Sequence, residues 1–288
     1  MATMAGFNKT SQNDLIEGVD ISAIILGMNV QASVYQDIAW INPAMTKEKW
    51  RIVRDDVITV NATLAETDEA TPTSFTTSSV EITPAVYPVR GFVSLELEQD
   101  SAVDALSKAI ANHAEVIKTA IDVNVLANIS SATNTSDYNG TALDKDKFLA
   151  ARLAFDKQKP NAGPQAFVGG YKQIADIIGA FADAGGSVYA VPGLVSNAVA
   201  SKGDSSVYFK GNVAGMDLYA GAVPASGGAD VSGAFLVVGK ALAIGFKVLI
   251  DYKIDPAPGR VGVDLMTFSR YGTGIASQAN LREVISLA

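Results

Sequence analysis

Residues able to do nucleophilic or acid–base chemistry are scarce in this sequence, which holds one histidine, His113, and no cysteine. A Ser–His pair would have to use His113, while a Cys–His pair and a thiolate metal site are excluded. His113 lies seven residues after Leu106, at the edge of an apolar stripe. That position is typical of a histidine packed on a helix, so the sequence favours a packing role over a catalytic one.

Other chemical motifs are absent or incomplete. The acids Glu66, Asp68 and Glu69 could bind calcium, but they lack the Asp-x-Asp-x-Asp-Gly spacing of a calcium loop, and a solvated acidic tip is favoured. "GAFLVVGKALA" lacks the first glycine and the final Ser or Thr of a phosphate loop. We therefore expect no enzymatic activity, no metal and no cofactor.

Composition narrows the class of protein further. The chain has 288 residues, 48% of them hydrophobic, a formal net charge of −8 and a pI near 4.7. A phosphate-driven nucleic-acid binder would be basic, so that class is not favoured. The N-terminus lacks a secretory signal pattern, and no apolar run reaches the roughly 18 residues of a membrane helix. We expect no membrane association.

One long helix is the strongest local prediction. No Gly or Pro occurs between Ser101 and Ser130, and Ser101 with Asp104 resembles a capping box. Apolar residues recur every three or four residues along the chain, which predicts a helix with one buried stripe over about residues 101–129. Its members are Val103, Leu106, Ile110, Ala114, Ile117, Ile121 and Val125. A loop, "SSATNTSDYNG", follows, and then a second helix over 143–160, with Thr141 and Asp144 as a second capping box.

A long polar stretch precedes that helix. "TLAETDEATPTSFTTSSVEITPAVYPV" is rich in Thr, Ser, Pro and acid and holds no lysine. Alternating patterns on both sides, in "WRIVRDDVITVNATL" and "SVEITPAVYPVRGFVSLEL", predict two strands joined through a polar tip. A bare two-stranded hairpin is marginal in water, so this one needs a surface to lie on.

The rest of the sequence predicts an arm, a mixed domain and a β-hairpin. Residues 1–34 suggest an extended arm with a short helix near Ile21–Leu26. Residues 161–239 are Gly-rich, with a helix over about 171–184. "ALAIGFKVLIDYKID" and "VGVDLMTFSRYGTGIA" predict long paired strands around the turn "PAPGR".

This order of elements resembles the major capsid protein of tailed bacteriophages, the Hong Kong 97-type fold. Three phrases carry the resemblance: "VEITPAVYPVRGFVSLELEQDS", "GNVAGMDLYAGAVPA" and "DLMTFSRYGTGIASQANLREVISL". It implies an α+β fold with an N-terminal arm (1–34), an extended β-hairpin loop (50–92), a peripheral domain (35–49, 93–160 and 242–271) that contains the long spine helix, and a mixed axial domain (161–241 and 272–288).

The resemblance also implies a function and partners. We expect a structural protein that forms hexamers and pentamers of an icosahedral shell around phage double-stranded DNA, without sequence-specific DNA binding. It would belong to the virion, assemble in the host cytoplasm, and work with separate scaffolding, portal and decoration proteins. Loop residues are the candidates for contacts between subunits: Arg51, Arg54, Glu66, Asp68, Glu69, Phe75 and Arg90. Arg suits bidentate pairing with carboxylates, although an ordinary surface charge is an equally good interpretation of each.

One family feature is not expected here. Some members join a loop lysine to a neighbour's asparagine, but this chain has no lysine between Lys49 and Lys108. We predict that mature particles run as single subunits on a denaturing gel, and a covalent ladder would contradict this.

Three other interpretations stay open at this point. An encapsulin-type bacterial nanocompartment shell shares the fold and holds protein cargo. A phage tail-tube or fibre protein would also be acidic and rich in Thr and Gly. A small-molecule-binding or hydrolytic enzyme would place a pocket in the Gly-rich region. Electron microscopy separates closed shells, tubes and small particles.

Overall fold

The computed structural model describes residues 33–55, 77–96, 105–158, 160–183, 209–257 and 261–287. These residues form two large sheets, a two-stranded ribbon and the helices that pack on them. The helices are α1 (Val34–Ile38), α2 (Ala105–Ala127), α3 (Lys145–Lys157) and α4 (Tyr171–Asp183). The strands are β1 (Trp40–Asn42), β2 (Trp50–Asp55), β3 (Thr77–Ile82), β4 (Ala85–Ser94), β5 (Thr135–Asp137), β6 (Gln165–Gly169), β7 (Phe209–Val213), β8 (Met216–Ala220), β9 (Ala225–Gly227), β10 (Asp230–Val237), β11 (Leu242–Pro256), β12 (Gly262–Ile275) and β13 (Leu281–Leu287).

The predicted long helix is confirmed as α2, and its apolar stripe is buried from Leu106 to Val125. Its described part, Ala105–Ala127, has 23 residues and is roughly 35 Å long at about 1.5 Å per residue. The Asn128 side-chain amide donates to the carbonyls of Asn124 and Val125, at 2.8 and 3.1 Å. This bonding accompanies the change to a 3-10 turn over Asn128–Ser131, where the α-helix ends. The predicted start, 101–104, lies outside the described residues.

A four-stranded sheet in the order β1-β11-β12-β4 carries α2 on one face. The predicted terminal hairpin is confirmed, because β11 and β12 pair antiparallel from Leu242↔Ile275 to Pro256↔Val263. Strand β4 lies at the edge, where Pro88 is tolerated because an edge strand can do without one ladder donor. Side chains of α1, α2, β11 and β12 share one apolar core with the neighbouring sheet.

The seven-stranded sheet follows the order β5-β13-β10-β6-β8-β7, and β9 pairs with β10. Helices α3 and α4 cover one face with a core of aromatic side chains, among them Phe148, Phe155, Phe167, Phe181 and Phe235. The helix predicted over 171–184 is confirmed as α4, at Tyr171–Asp183. This sheet unites the Gly-rich stretch with the end of the chain, because β10 lies between β6 and β13.

Two local predictions were wrong. The expected capping box does not begin at Thr141: Asp144 caps α3, and its carboxylate accepts the backbone N–H of Lys147 at 2.9 Å. The helix therefore begins at Lys145 rather than 143. The segment "SSATNTSDYNG" is more than a loop, because Thr135–Asp137 forms β5 and pairs in parallel with β13. No local pattern marks so short a strand, since its partner is distant in sequence.

The base of the extended loop is a ribbon in which β2 and β3 pair antiparallel from Trp50↔Ile82 to Asp55↔Thr77. Ile52 and Ile82 are buried against Ala243 and Ala276, which attaches the ribbon to the four-stranded sheet. The predicted pairing is thus confirmed at the base of the loop. The second predicted strand is divided in two, because β3 pairs with β2 whereas β4 pairs with β12 of the four-stranded sheet. The tip, 56–76, and the arm, 1–32, lie outside the described residues.

His113 packs between α2 and the sheet, as the sequence analysis favoured. Its Nδ1 lies 3.3 Å from the hydroxyl of Thr267, and burial lowers the pKa of its imidazole. The ring lies over Gly91 of β4, where an added Cβ would come within 2.7 Å of Nε2. An alanine at position 91 would therefore force the His113 ring to move.

We predict that Gly91→Ala lowers the free energy of unfolding by about 2 kcal/mol, because the added methyl displaces the imidazole of His113 from its site. Urea unfolding of the four members of a double-mutant cycle measures this. In the His113→Ala background, Gly91→Ala is expected to lower the free energy of unfolding only slightly. Equal costs in both backgrounds would show that the methyl meets something other than the ring.

Among the described helices, none combines the length and the apolar composition that a membrane crossing requires.

Candidate subunit-contact surfaces

Arg51 is bonded within its own chain at the base of the loop. Its Nη2 lies 2.5 Å and its Nε 3.2 Å from Oε1 of Glu81, on the facing strand of the ribbon. Lys49 reaches the other oxygen of Glu81 at 3.0 Å. The hydrogen bonds from Arg51 and Lys49 lower the pKa of the Glu81 carboxyl. The structure therefore uses Arg51 to join the two strands that lead into the loop.

Arg90 is also paired within the chain. Its Nη2 lies 2.6 Å from the Asp264 carboxylate of the neighbouring strand β12. All of these ion pairs are exposed, so each contributes little to stability in water. A neighbouring subunit that excluded water from them would strengthen them.

The remaining predicted contact residues are only partly placed. Arg54 lies in β2 opposite Ser78. Glu66, Asp68, Glu69 and Phe75 lie outside the described residues.

Arg90 belongs to an exposed sheet face that was not predicted from the sequence. Because β4 and β12 are in register, side chains at alternate positions of both strands lie on the side of the sheet opposite α2. We call this the outer sheet face; its members are Val86, Pro88, Arg90, Phe92, Asp264, Met266, Phe268 and Arg270. Val86, Phe92 and Met266 are large apolar side chains that remain exposed. Exposed apolar residues next to paired charges are typical of a protein–protein contact surface.

Helix α2 carries charges on its buried side. Lys118 and Asp122 are only 6% and 8% exposed. The Asp122 carboxylate accepts the backbone N–H of Tyr35 at 2.9 Å, which ties the start of α1 to the C-terminal third of α2. Burial raises the pKa of Asp122 to about 6, against the opposing hydrogen bonds from Tyr35 and Val34 and the charge of Lys118. Burial also lowers the pKa of Lys118, although Asp122 and Glu115 oppose this.

We predict that Asp122→Asn removes one pH-dependent contribution to stability. The pKa of Asp122 is raised from 3.8 to about 6 in the folded chain, so the folded state binds this proton more tightly than the unfolded state. The contribution therefore increases as the pH falls from about 7 to about 4, by about 3 kcal/mol. The free energy of unfolding of wild type minus variant, from urea titrations across this range, should rise toward acid. Parallel pH profiles would contradict the prediction.

After Glu115, the exposed side of α2 carries no charged residue. Between Glu115 and Asp137 the only charged residues are Lys118 and Asp122, which are both buried. The exposed positions instead form a shallow groove of about 600 Å³. We call its central part the α2 outer face, made of Val116, Thr119, Ala120 and Val123. This uncharged face could have been predicted from the sequence, because Lys118 and Asp122 lie on the same side of the helix as the apolar stripe.

Neither surface has the features of a chemical site. No cluster of three or more potential metal ligands occurs in the described part of the chain. The described residues instead leave apolar side chains exposed on the two outer sides of the layer that the four-stranded sheet and α2 form.

The sequence matches no protein-family model and no curated protein. Solved structures do match. The capsid of Ralstonia phage GP4 aligns with 90% of this chain and 92% of its own, at 8% identity and a TM-score of 0.66. The acidic stable capsid of Helicobacter pylori bacteriophage KHP30 aligns with 100% of this chain and 99% of its own, at 9% identity and a TM-score of 0.65.

This chain has the phage capsid fold. The predicted α+β class and the predicted likeness to phage major capsid proteins are thereby confirmed. A virus-like particle from Pyrococcus furiosus also matches, over 92% of this chain and 97% of its own, at 11% identity and a TM-score of 0.60. Identities this low show a common fold, and function has to be argued from the surfaces.

Proposed function

We propose that this chain is the major capsid protein of a tailed phage, a structural protein without catalytic activity. Copies of it would form the hexamers and pentamers of an icosahedral shell around double-stranded DNA. The observation that carries the proposal is the alignment over the full length of this chain and nearly the full length of a phage capsid chain. The match covers the whole order of elements, so it is not confined to one common motif.

The proposed domain arrangement is that of the Hong Kong 97-type fold. The peripheral domain comprises 35–49, 93–160 and 242–271, with α2 as its spine. The axial domain comprises 161–241 and 272–288, which supply most strands of the seven-stranded sheet. The extended loop is 50–92, and the arm is 1–34. The axial domains would meet at the centres of hexamers and pentamers.

Shell contacts would then join unlike surfaces of neighbouring copies. The loop of one subunit would lie across the next, where Arg51, Arg54, Glu66, Asp68, Glu69, Phe75 and Arg90 could contact it. The uncovered outer sheet face supports this, because it offers apolar area beside charges. Head-to-tail contacts that close give rings, and many weak copies of one contact act together in a shell.

The acidic balance supports a container for DNA. A formal charge of −8 gives the wall no general attraction for phosphate, so packaged DNA would not be held by non-specific binding. The proposed location is the virion, after assembly in the host cytoplasm. Separate scaffolding, portal and decoration proteins are the proposed partners.

Negative-stain electron microscopy of the expressed chain, alone and with the co-expressed head proteins of its phage, tests the proposal. Closed icosahedral particles are the expected result. Tubes or rods would support a tail protein instead. A monomer or dimer under both conditions would overturn the shell proposal.

The similarity to the Pyrococcus furiosus particle supports a second candidate, an encapsulin-type compartment with protein cargo. The contents of purified particles separate the two. Nuclease-protected DNA after disruption supports the phage capsid, whereas one co-purifying protein without nucleic acid supports the compartment.

A further inference from the structure

The turn between β5 and α3 contains the pair Asn139–Gly140. Both residues are exposed, and Gly140 has a φ of +69°, in the left-handed region that favours glycine. An asparagine followed by glycine deamidates readily in a flexible chain, because glycine places no Cβ beside the backbone nitrogen that attacks the side chain. Asn139 is therefore chemically suited to spontaneous deamidation.

The reaction needs no enzyme and no co-reactant besides water. The Gly140 nitrogen forms a bond to Cγ of Asn139, which gives a cyclic imide. The side-chain nitrogen of Asn139 leaves as ammonia and carries away the proton that the Gly140 nitrogen loses. Water then opens the imide at either of its carbonyls, which gives aspartate or isoaspartate. The reaction therefore depends on a Gly140 N–H that is free to lose its proton.

In the folded chain this N–H is held by a carboxylate. It donates to both side-chain oxygens of Asp230, at 3.1 and 3.2 Å. Asp230 is only 6% exposed and is the first residue of β10, where it pairs with Leu287 of β13. Releasing a hydrogen bond to a charged group reduces the population of the released state about tenfold or more. The fold therefore keeps the attacking nitrogen out of reaction for most of the time.

The same carboxylate opposes the charge that the reaction requires. The Gly140 nitrogen becomes negative when it loses its proton, and this charge would form 3.1 Å from an oxygen of Asp230. Like charges at this separation repel each other, so the carboxylate disfavours the amide anion. A carboxylate is also too weak a base to remove the proton of a backbone amide. Both effects slow the attack on Asn139.

Two hydrogen bonds attach the ends of this turn to β13. The N–H of Tyr138 donates to the carbonyl of Ile285 at 2.9 Å, and the N–H of Leu287 donates to the carbonyl of Thr141 at 3.0 Å. Isoaspartate at position 139 would lengthen the main chain between these two bonds. Deamidation would therefore strain the attachment of the turn to the last strand.

We propose that Asn139 is a deamidation site of this protein and that Asp230 keeps it unreactive in the folded subunit. Folded chains retain Asn139, whereas chains in which the turn separates from Asp230 acquire aspartate or isoaspartate there. The proposal concerns the single subunit and does not depend on the proposed function.

Peptide mapping by mass spectrometry, after incubation of the full chain at mildly alkaline pH, tests the proposal. Asn139 should be converted at least about tenfold faster in Asp230→Ala than in the wild type, because the Gly140 N–H loses its acceptor. Asp230→Asn keeps a neutral acceptor and should give an intermediate rate. Asp217→Ala is the matched control, since it removes a carboxylate of the same sheet that accepts from Asn212 instead, and it should leave the rate at Asn139 unchanged. Equal rates in the wild type and folded Asp230→Ala, or faster conversion in the wild type, would overturn the proposal.

Amide hydrogen exchange of Gly140 is a second measurement, and it remains decisive if Asp230→Ala does not fold. Base-catalysed exchange passes through the same amide anion, so it reports directly on the protection of this nitrogen. In the folded wild type, Gly140 should exchange at least about tenfold more slowly than in a free peptide of the sequence "TSDYNGTA". Asn139 should also be converted more slowly in the folded chain than in the peptide. Exchange or conversion at the rate of the peptide would show that Asp230 gives no protection.

Discussion

Replacing Phe235 with alanine should lower the free energy of unfolding by about 4 kcal/mol. Phe235 is fully buried on β10, in the middle of the seven-stranded sheet. Its ring centroid lies 4.9 Å from that of Phe167 and 5.1 Å from that of Phe148. Truncation removes these contacts and leaves a cavity. The strands and helices around the cavity cannot move inward to fill it. Urea or thermal unfolding of unassembled subunits measures the loss.

Phe92→Ala is the matched control, because it makes the same change on the outer sheet face, where Phe92 is 38% exposed. It is expected to cost about 1 kcal/mol or less in the unassembled subunit. Similar losses in the two variants would contradict the assignment of the aromatic core. A strong effect of Phe92→Ala on assembly alone would support the outer sheet face as a subunit contact.

Excising the loop tip is expected to abolish shells while the subunit still folds. Because Asp55 and Thr77 are directly paired across the ribbon, residues 56–76 can be replaced by the dipeptide Asn-Gly. That dipeptide suits the two-residue turn that closes a hairpin. If the loop lies across the neighbouring copy, its removal should reduce particle yield at least about tenfold. The reason is that every subunit loses the same contact, and the losses multiply around a closed ring.

Folding and assembly have to be scored separately in that experiment. Circular dichroism and thermal unfolding of the excised subunit should match the wild type, because the buried residues of the ribbon, Ile52 and Ile82, are retained. A folded variant that forms normal shells would contradict a bridging role for the loop. The control for loop chemistry replaces residues 56–76 with a Gly/Ser segment of the same length. This segment keeps the length of the loop and removes its side chains.

Several elements could be predicted because their signals are local. The helix α2 follows from apolar residues spaced by three and four, and every described member of the stripe is buried. The β11–β12 hairpin follows from two alternating patterns around a proline-rich turn. The exact ends were less predictable, since Asn128 ends α2 with a side-chain bond that no periodicity shows.

Contact partners were not predictable in the same way. Arg51 and Arg90 pair within the subunit with Glu81 and Asp264, and their contact with neighbouring subunits stays a prediction. Strand register decides these pairs, and Arg90 and Asp264 are separated by 174 positions in the sequence. Similarly, Lys118 and Asp122 are charged residues that composition alone would place in water.

The sequence by itself determined the order of elements, the long helix, the polar loop and the scarcity of catalytic side chains, because these depend on residue type and on spacing along the chain. Only the tertiary structure decided which faces remain uncovered and which charges are paired or buried. Those properties depend on how distant segments pack, since a side chain's exposure and pKa are set by neighbours in space. The outer sheet face, on the side of the four-stranded sheet opposite α2, could therefore be recognised only once the fold was known.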